Sequence, residues 1–149
     1  MINILIADDN DSNIYVLEML VDEWFEDNEI TDYCVDSALN GKEAINKVET
    51  TSYDLIFLDI MMPVMDGFEA LKIIRESNLE HQPKIVVASA IVDDMVNKNM
   101  AKDLKANAFI VKPLSSETVE MMLDKYIKKE DNSSLENITD NKKFIYFDN

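Results

Sequence analysis

Side chains that can bind a metal ion or a phosphate group follow the ends of short apolar runs in this sequence. They are Asp8, Asp9, Asp59, Ser89 and Lys112. Apolar runs without alternation are typical of strands buried on both faces, as in a parallel sheet covered by helices. Because the carboxyl ends of parallel strands meet at one edge of a sheet, we expect these five side chains to share one cleft.

The chemistry of this set points to a cation and a tetrahedral anion. Carboxylates within a few ångströms of one another repel unless a cation lies between them. Hard oxygen ligands on a hydrated loop edge suit Mg²⁺ better than zinc, so Asp8, Asp9 and Asp59 form a candidate magnesium site. The hydroxyl of Ser89 and the ammonium of Lys112 would bind the remaining oxygens of the anion. This combination is typical of phosphoryl transfer.

Five predicted strands alternate with five predicted helices. The strands are 2–7, 33–38, 55–59, 84–89 and 108–111, and the helices lie at 11–24, 42–50, 68–77, 93–105 and 116–127. Asp11 or Ser12 is expected to cap the first helix. Such alternation requires right-handed crossovers and predicts a three-layer α/β sandwich.

Composition favours one folded domain and excludes several kinds of partner. The chain has 149 residues, of which 47% are hydrophobic and 30% charged. Its net charge of -16 would repel nucleic-acid backbones and anionic membranes, so we expect neither as a direct partner. One cysteine excludes an internal disulfide, and the absence of a basic leader or long apolar run predicts a cytoplasmic protein.

The C-terminal part of the sequence differs from the rest. We predict a domain over residues 1–128 and an acidic, mobile tail over 129–149, because the helical pattern stops and Asn and Asp become frequent. The apolar cluster at 144–147 is an exception. It either folds back on the domain or docks on a partner.

Four sequence pieces together resemble the receiver domain of two-component response regulators. The pieces are Asp8-Asp9, the segment 59–67, Ser89-Ala90 and Lys112-Pro113, each at the end of a predicted strand and in the same order as in that family. The resemblance covers residues 2 to about 128. It implies a flavodoxin-like, doubly wound (βα)5 sandwich with parallel strand order 2-1-3-4-5.

The resemblance also implies a role for each site residue. Asp59 would accept a phosphoryl group from a phosphohistidine, and Lys112 would pair with that group. Asp9 and Asp59 would ligate Mg²⁺ with the backbone carbonyl of Met61, while Asp8 would act through metal-bound water. An aspartate is a nucleophile only when ionised, and a bound cation keeps it ionised.

By the same resemblance, Ser89 would bind a phosphoryl oxygen and move inward, leaving space for the aromatic side chain at the switch position, Phe109. Phe109 has no hydroxyl, so its inward state would be stabilised by apolar burial alone; a purely structural role in the core is the alternative. Met61 and Ile91 stand where the family controls access of hydrolytic water. Both are apolar, which predicts slow self-dephosphorylation.

The implied function is a phosphoacceptor in two-component signalling. Its donor would be a sensor histidine kinase or a histidine phosphotransfer protein, and a downstream protein target would bind the face formed by the fourth helix, fifth strand and last helix. The chain would not be an enzyme beyond catalysing its own phosphorylation and slow dephosphorylation. Met1 directly before the first strand favours a single-domain regulator, whereas Asn10 and Asn13 favour a receiver cut from a hybrid histidine kinase.

A small Mg²⁺-dependent hydrolase or phosphatase on the same fold is the alternative from another functional class. It would use the same carboxylates but would also need a substrate pocket. The predicted loops are short and leave little to build one.

Overall fold

Strands and helices alternate along the chain, and the strands form one sheet. The computed structural model describes residues 1–90, 95–130 and 144–147. The strands are β1 (Ile2–Ala7), β2 (Tyr33–Ala38), β3 (Leu55–Asp59), β4 (Lys84–Ser89), β5 (Ala108–Val111) and β6 (Phe144–Tyr146). The helices are α1 (Asp11–Asp27), α2 (Gly41–Thr50), α3 (Gly67–Glu76), α4 (Met95–Asp103) and α5 (Ser116–Tyr126). Within the described part of the chain, the sheet order is β2-β1-β3-β4-β5-β6.

The first five strands are parallel and have the predicted order 2-1-3-4-5. Successive side chains of a strand point to opposite faces of the sheet, so each central strand feeds two cores. Ile4 and Ile6 of β1 pack in the core on the side of α1 and α5, whereas Leu5 and Ala7 pack in the core on the side of α2 and α3. All five residues of β3 are buried. This double covering explains the continuous apolar runs in the sequence.

Polar side chains at the helix starts satisfy backbone N–H groups that the helices cannot pair. Asn10, and not Asp11 or Ser12, caps α1, because Asn10 has the extended backbone of an N-cap and its side chain accepts from the Asn13 N–H. The two residues predicted as caps already lie in the first turn. Ser115 caps α5, and its side chain accepts from the Thr118 N–H.

The fourth helix is described over a shorter range than predicted. It begins at Met95 and ends at Asp103, and residues 91–94 lie outside the described residues, so the predicted start at 93 falls there. Lys105 has a φ of 68°, a left-handed conformation that ends the helical path.

A sixth strand in the C-terminal segment distinguishes the structure from the five-stranded expectation. β6 pairs with β5 in the antiparallel direction, with Phe109 opposite Ile145, and the side chains of Phe144 and Tyr146 are buried. The segment therefore folds back on the domain, the first of the two alternatives for 144–147. The physical reason is that β5 would otherwise present an unpaired edge to water. The remaining tail residues, 131–143 and 148–149, lie outside the described residues.

Helix length and polarity bear on membrane insertion. None of the helices in the described ranges is both long and apolar enough to cross a bilayer.

The loop between β3 and α3 contains a strained residue beside a very close backbone approach. Gly67 donates its N–H to the Ile60 carbonyl at 3.0 Å, and a Cβ added at Gly67 would collide with the backbone carbonyl of Asp59. Val64 has a φ of 67°, although a β-branched residue strongly disfavours the left-handed region. Val64 is 79% exposed, so its side chain gains little from burial. The loop holds Val64 in this conformation at a cost in stability.

We expect the substitution Val64→Gly to raise the free energy of unfolding by about 0.5–1 kcal/mol, because glycine adopts this backbone conformation without strain. Thermal unfolding followed by circular dichroism would show a midpoint roughly 1–4 °C higher. Val16→Gly is the matched control, since Val16 is an exposed valine inside α1, where glycine should lower the midpoint. An unchanged or lower midpoint for Val64→Gly would contradict the inference that the backbone of Val64 is strained.

Candidate functional site

Three carboxylates converge at the carboxyl edge of the sheet. Asp8 and Asp9 follow β1, and Asp59 ends β3; these strands are parallel neighbours, with Ala7 opposite Leu58. One carboxylate oxygen from each of the three acids lies within 4.8 Å of the others. Asp8 and Asp59 are only 5% and 6% exposed, whereas Asp9 is exposed. The structure thus brings together the acids that the sequence predicts in one cleft.

The ammonium group of Lys112 lies against two of these acids. Its Nζ is 2.7 Å from Asp8 Oδ2 and 3.3 Å from Asp59 Oδ2. Lys112 directly follows β5, and its backbone N–H donates to the Ser89 carbonyl at 2.8 Å, which fixes the start of the side chain at the edge of β4. The lysine from the fifth strand therefore contacts the acid of the third, as the sequence predicts.

The remaining predicted site residues occupy three different environments. Ser89 ends β4 and is 2% exposed. Met61 donates its backbone N–H to Asp59 Oδ1 at 3.3 Å, and its side chain extends into solvent. Phe109 is fully buried in the core on the side of α2 and α3. Ile91 lies outside the described residues.

Electrostatics disfavour the charged form of Asp59. Burial raises the pKa of its carboxyl group, and the nearby Asp8 raises the pKa further, while Lys112 and the Met61 N–H oppose the increase. Three carboxylates and one ammonium carry a formal charge of -2. A divalent cation would neutralise this charge, and hard oxygen ligands on a partly exposed edge suit Mg²⁺.

Asp8 has more hydrogen-bond partners than the sequence indicates. Its Oδ1 accepts from the Asn10 N–H at 2.9 Å, and its Oδ2 is 3.4 Å from the side-chain amide of Asn13 in addition to the Lys112 contact. Both asparagines stand out in the sequence after the Asp pair, but their contact with Asp8 depends on how α1 leaves the strand. Both oxygens of Asp8 are engaged at 2.7–2.9 Å, whereas Met61 and Lys112 contact the oxygens of Asp59 only at 3.3 Å, so Asp59 is held less tightly than Asp8.

A cavity beside the acids was not predicted from the sequence. It has a volume of about 520 Å³ and combines charged and apolar lining, including Asp8, Lys112, Val16 and Leu114. Val16 lies on α1 with Tyr15 and Met19, and all three side chains are more than half exposed. The cavity therefore borders an exposed apolar part of α1 at Val16.

Comparison with known proteins agrees with the fold and the acidic cleft. Residues 4–124 match the family model described as the response regulator receiver domain. Hybrid signal transduction histidine kinase L of Dictyostelium discoideum is 33% identical over 137 residues, which is 88% of this chain and 8% of that protein. The alkaline phosphatase synthesis transcriptional regulatory protein PhoP of Bacillus subtilis is 32% identical over 116 residues, which is 78% of this chain and 44% of that protein. The chain thus spans less than half the length of these two relatives.

A solved structure of a receiver domain is also similar to this chain. The receiver domain of a sensor histidine kinase from Pseudomonas aeruginosa, with a magnesium ion coordinated in its active-site cleft, superimposes with a TM-score of 0.72 at 25% identity. The match covers 85% of this chain and 97% of that one. These likenesses favour signalling over the hydrolase alternative and confirm the flavodoxin-like fold. Since the family match covers most of the chain and the acids meet as the family motifs predict, the chain belongs to the response regulator receiver domains of two-component systems.

Proposed function

We propose that Asp59 is a phosphoacceptor. It takes a phosphoryl group, in a Mg²⁺-dependent reaction, from the phosphohistidine of a sensor histidine kinase or a histidine phosphotransfer protein. One observation carries the proposal: the buried Asp59 carboxylate lies in the same cleft as Asp8 and Asp9, with the Lys112 ammonium 3.3 Å away. This set holds a nucleophile, a cation site and a fixed positive charge at one point.

The donor set fits Mg²⁺. Asp9 and Asp59 would hold the ion directly with the backbone carbonyl of Met61, and Asp8, whose oxygens already bind Asn10 and Lys112, would reach it through water. When bound, the ion supplies positive charge that keeps the Asp59 carboxylate ionised and offsets the charge of the phosphoryl oxygens. The receiver domain from Pseudomonas aeruginosa, solved with magnesium in its cleft, supports this choice of metal.

In the transfer step, a carboxylate oxygen of Asp59 attacks phosphorus as the bond between phosphorus and the donor histidine nitrogen breaks. The bonding electron pair returns to the imidazole nitrogen, and the product is an acyl phosphate on Asp59. Lys112 loses its contact with the Asp59 carboxylate and pairs with a phosphoryl oxygen. The Ser89 hydroxyl, buried at the end of β4, donates a hydrogen bond to another phosphoryl oxygen.

Movement of Ser89 toward the phosphoryl group is the first step of the proposed switch. Space released beside β4 would allow Phe109 of β5 to repack, so a change at the cleft alters the surface near α4 and α5. A downstream protein target would distinguish the two states at that surface. The same chemistry operates in a single-domain regulator and in a receiver module of a longer hybrid kinase.

The approach of the donor is proposed on the side of α1. The cavity of about 520 Å³ is lined by Lys112, Asp8 and the exposed Val16. Tyr15 and Met19 are exposed apolar residues of the same helix. An exposed apolar rim around a charged centre is typical of a protein-binding surface. The net charge of -16 argues against nucleic acid as a partner of this chain.

We expect incubation with acetyl phosphate and Mg²⁺ to add one phosphoryl group to the chain, which intact-mass spectrometry detects. Asp59→Asn should abolish the addition, because an amide is not a nucleophile here. Asp54→Asn is the matched control: this exposed aspartate accepts a hydrogen bond from the Asn3 N–H, which an asparagine oxygen can replace. Continuous release of phosphate without a stable adduct would instead indicate a hydrolase.

We expect Mg²⁺ to stabilise the folded chain, because the ion relieves repulsion in the native cleft only. A concentration ten times the dissociation constant should raise the free energy of unfolding by about 1.4 kcal/mol. Asp9→Asn should remove most of this increase in thermal unfolding scans, and Asp54→Asn should retain it. An equal increase in the wild type and Asp9→Asn would show that the ion binds elsewhere.

Without metal, Asp59→Asn should be more stable than the wild type at pH 7 and should have the higher unfolding midpoint. The native pKa of Asp59 is raised, so the ionised carboxylate lowers stability above that pKa. The difference should shrink as the pH falls through the raised native pKa and vanish below the unfolded value of about 3.9. A difference that stays constant with pH would exclude titration of Asp59 as its origin.

The phosphorylated chain should lose its phosphoryl group slowly, with a half-life on the order of minutes or longer, because the Met61 side chain cannot orient water toward the acyl phosphate. Met61→Gln should accelerate the loss several-fold, since an amide can hold a water molecule. Met95→Gln, at an exposed methionine of α4, is the control. A half-life of seconds for the wild type would refute the prediction.

A further inference from the structure

The outer edge of β5 is covered by a strand that comes from the far end of the chain. β6 pairs with Ala108, Phe109 and Ile110 of β5 in the antiparallel direction. Glu130, the last residue described before the strand, is separated from it by residues 131–143. The parallel domain of five strands and five helices is complete in topology without β6. The strand therefore occupies this edge as an addition to the receiver domain.

Two aromatic rings hold one face of β6 against α5. Tyr146 and Phe144 are 9% and 7% exposed, and their ring centroids lie 5.2 Å apart. The Tyr146 ring meets Tyr126 of α5 edge to face at 6.3 Å, and the Lys125 ammonium lies 4.2 Å from its centroid. Aromatic contacts and cation–π contacts add to the apolar burial. The α5 side of the edge thus forms a site for two rings two residues apart.

Asn107 anchors the end of this site. Its backbone carbonyl accepts the Phe147 N–H at 2.9 Å and the Tyr126 hydroxyl at 3.0 Å. Its side-chain oxygen accepts the Ile85 N–H and an Arg75 guanidinium N–H, both at 2.8 Å. The carbonyl that binds the backbone of the tail is therefore held rigidly by groups of the receiver domain itself.

The opposite face of β6 reaches the core on the side of α2 and α3. Ile145 stands opposite Phe109 in the strand pair, and Phe147 packs against the core cluster that contains Phe109. Both residues are only partly buried. Backbone hydrogen bonds attach the strand along its length, and the two rings on the α5 side make the site specific for particular side chains. Sheet edges bind extended peptides in this way.

We propose that the outer edge of β5 is a binding site for an extended peptide with two aromatic side chains two residues apart, and that residues 144–147 are its tethered, displaceable occupant. The pairing covers three residues, and most of the apolar core lies elsewhere, so release of the strand leaves the receiver core intact. A peptide of the same pattern, supplied by another protein, would take the same hydrogen bonds and the same ring positions. The tail then controls access to this edge.

Tethering sets the strength of this control. A covalently linked ligand competes at an effective concentration on the order of 1 mM. If the tail binds the edge with an intrinsic dissociation constant of about 100 µM, any free peptide binds the wild type about tenfold more weakly than it binds a chain whose own strand is undocked. The docked tail should therefore exclude peptides that bind the edge weakly, whereas peptides that bind it tightly should still displace the tail.

The test uses the full-length chain and a fluorescent synthetic peptide of residues 142–149. The double variant Phe144→Ala/Tyr146→Ala undocks the strand while keeping the chain length, and fluorescence anisotropy measures peptide binding to it and to the wild type. We expect at least tenfold tighter binding to the double variant. A peptide with the same two alanine substitutions should bind neither protein. Ile145→Ala is the matched control, because Ile145 projects to the other face, and it should resemble the wild type.

Folding of the double variant is checked by its thermal stabilisation on addition of Mg²⁺, which depends on the acidic cleft and not on the β5 edge. A variant that keeps this response but binds the peptide no better than the wild type would overturn the proposal. Equal binding of the peptide with the two alanine substitutions would also overturn it.

A second experiment uses the wild-type chain, so it tests the proposal even if the double variant does not fold. Millimolar unlabelled peptide is added to the isotope-labelled wild type, and backbone NMR signals are followed. We expect the signals of residues 144–147 to move to positions of unpaired chain, while those of Phe109 and Asn107 stay at folded positions. Unchanged signals for 144–147 at saturating peptide would overturn the proposal. So would a dimer in light scattering that peptide separates into monomers, since the occupant would then be a second copy.

Discussion

Repulsion among three carboxylates at one edge of the sheet is the constraint on which the rest of this structure depends. Asp8 and Asp59 are almost fully buried, yet one ammonium group, that of Lys112, is all that balances them and Asp9 in the described cleft. A sequence selected only for stability would not keep such a cluster, because each buried charge costs free energy unless it is paired. The raised pKa of Asp59 reflects this cost. The fold tolerates it because two packed cores on either side of the sheet hold the strand ends in place.

The sequence was sufficient to predict the parts of the fold that depend on burial. Each central strand is buried on both faces, so its apolar run has no alternation, and the polar residue that ends the run marks the edge where ligands bind. The ends of these apolar runs predict Asp59, Ser89 and Lys112 at neighbouring strand ends, and the register from β3 to β5 brings those ends together. The roles of the residues came from resemblance to a family and not from periodicity, because spacing along the chain does not show which oxygen of Asp8 meets Lys112.

Features that depend on local backbone geometry or on distant pairing were beyond sequence reasoning. Asn10, Asp11 and Ser12 are all good capping residues, and only the extended backbone of Asn10 distinguishes the cap. The sequence left two alternatives open for the short cluster at 144–147, folding back on the domain or docking on a partner. Three paired residues give only a weak periodic signal, and the strand they pair with lies more than thirty residues earlier in the chain. The cavity beside α1 forms between elements that are distant in sequence, so no local pattern could reveal it.

Phe109 connects the acidic cleft to the covered edge of the sheet. It lies on β5, between the strand that ends in Ser89 and the strand added from the C-terminal segment. Any repacking of Phe109 must act against Ile145, which stands opposite it, and against the core that Phe147 helps to close. Packed cores change between discrete arrangements and do not deform continuously, so under the proposed switch an event at the cleft and the docking of β6 would bias the same residue, Phe109. If Asp59 is phosphorylated as proposed, linkage makes the coupling reciprocal: any change that phosphorylation makes in the affinity of the edge for β6 equals the change that docking of β6 makes in the free energy of phosphorylation.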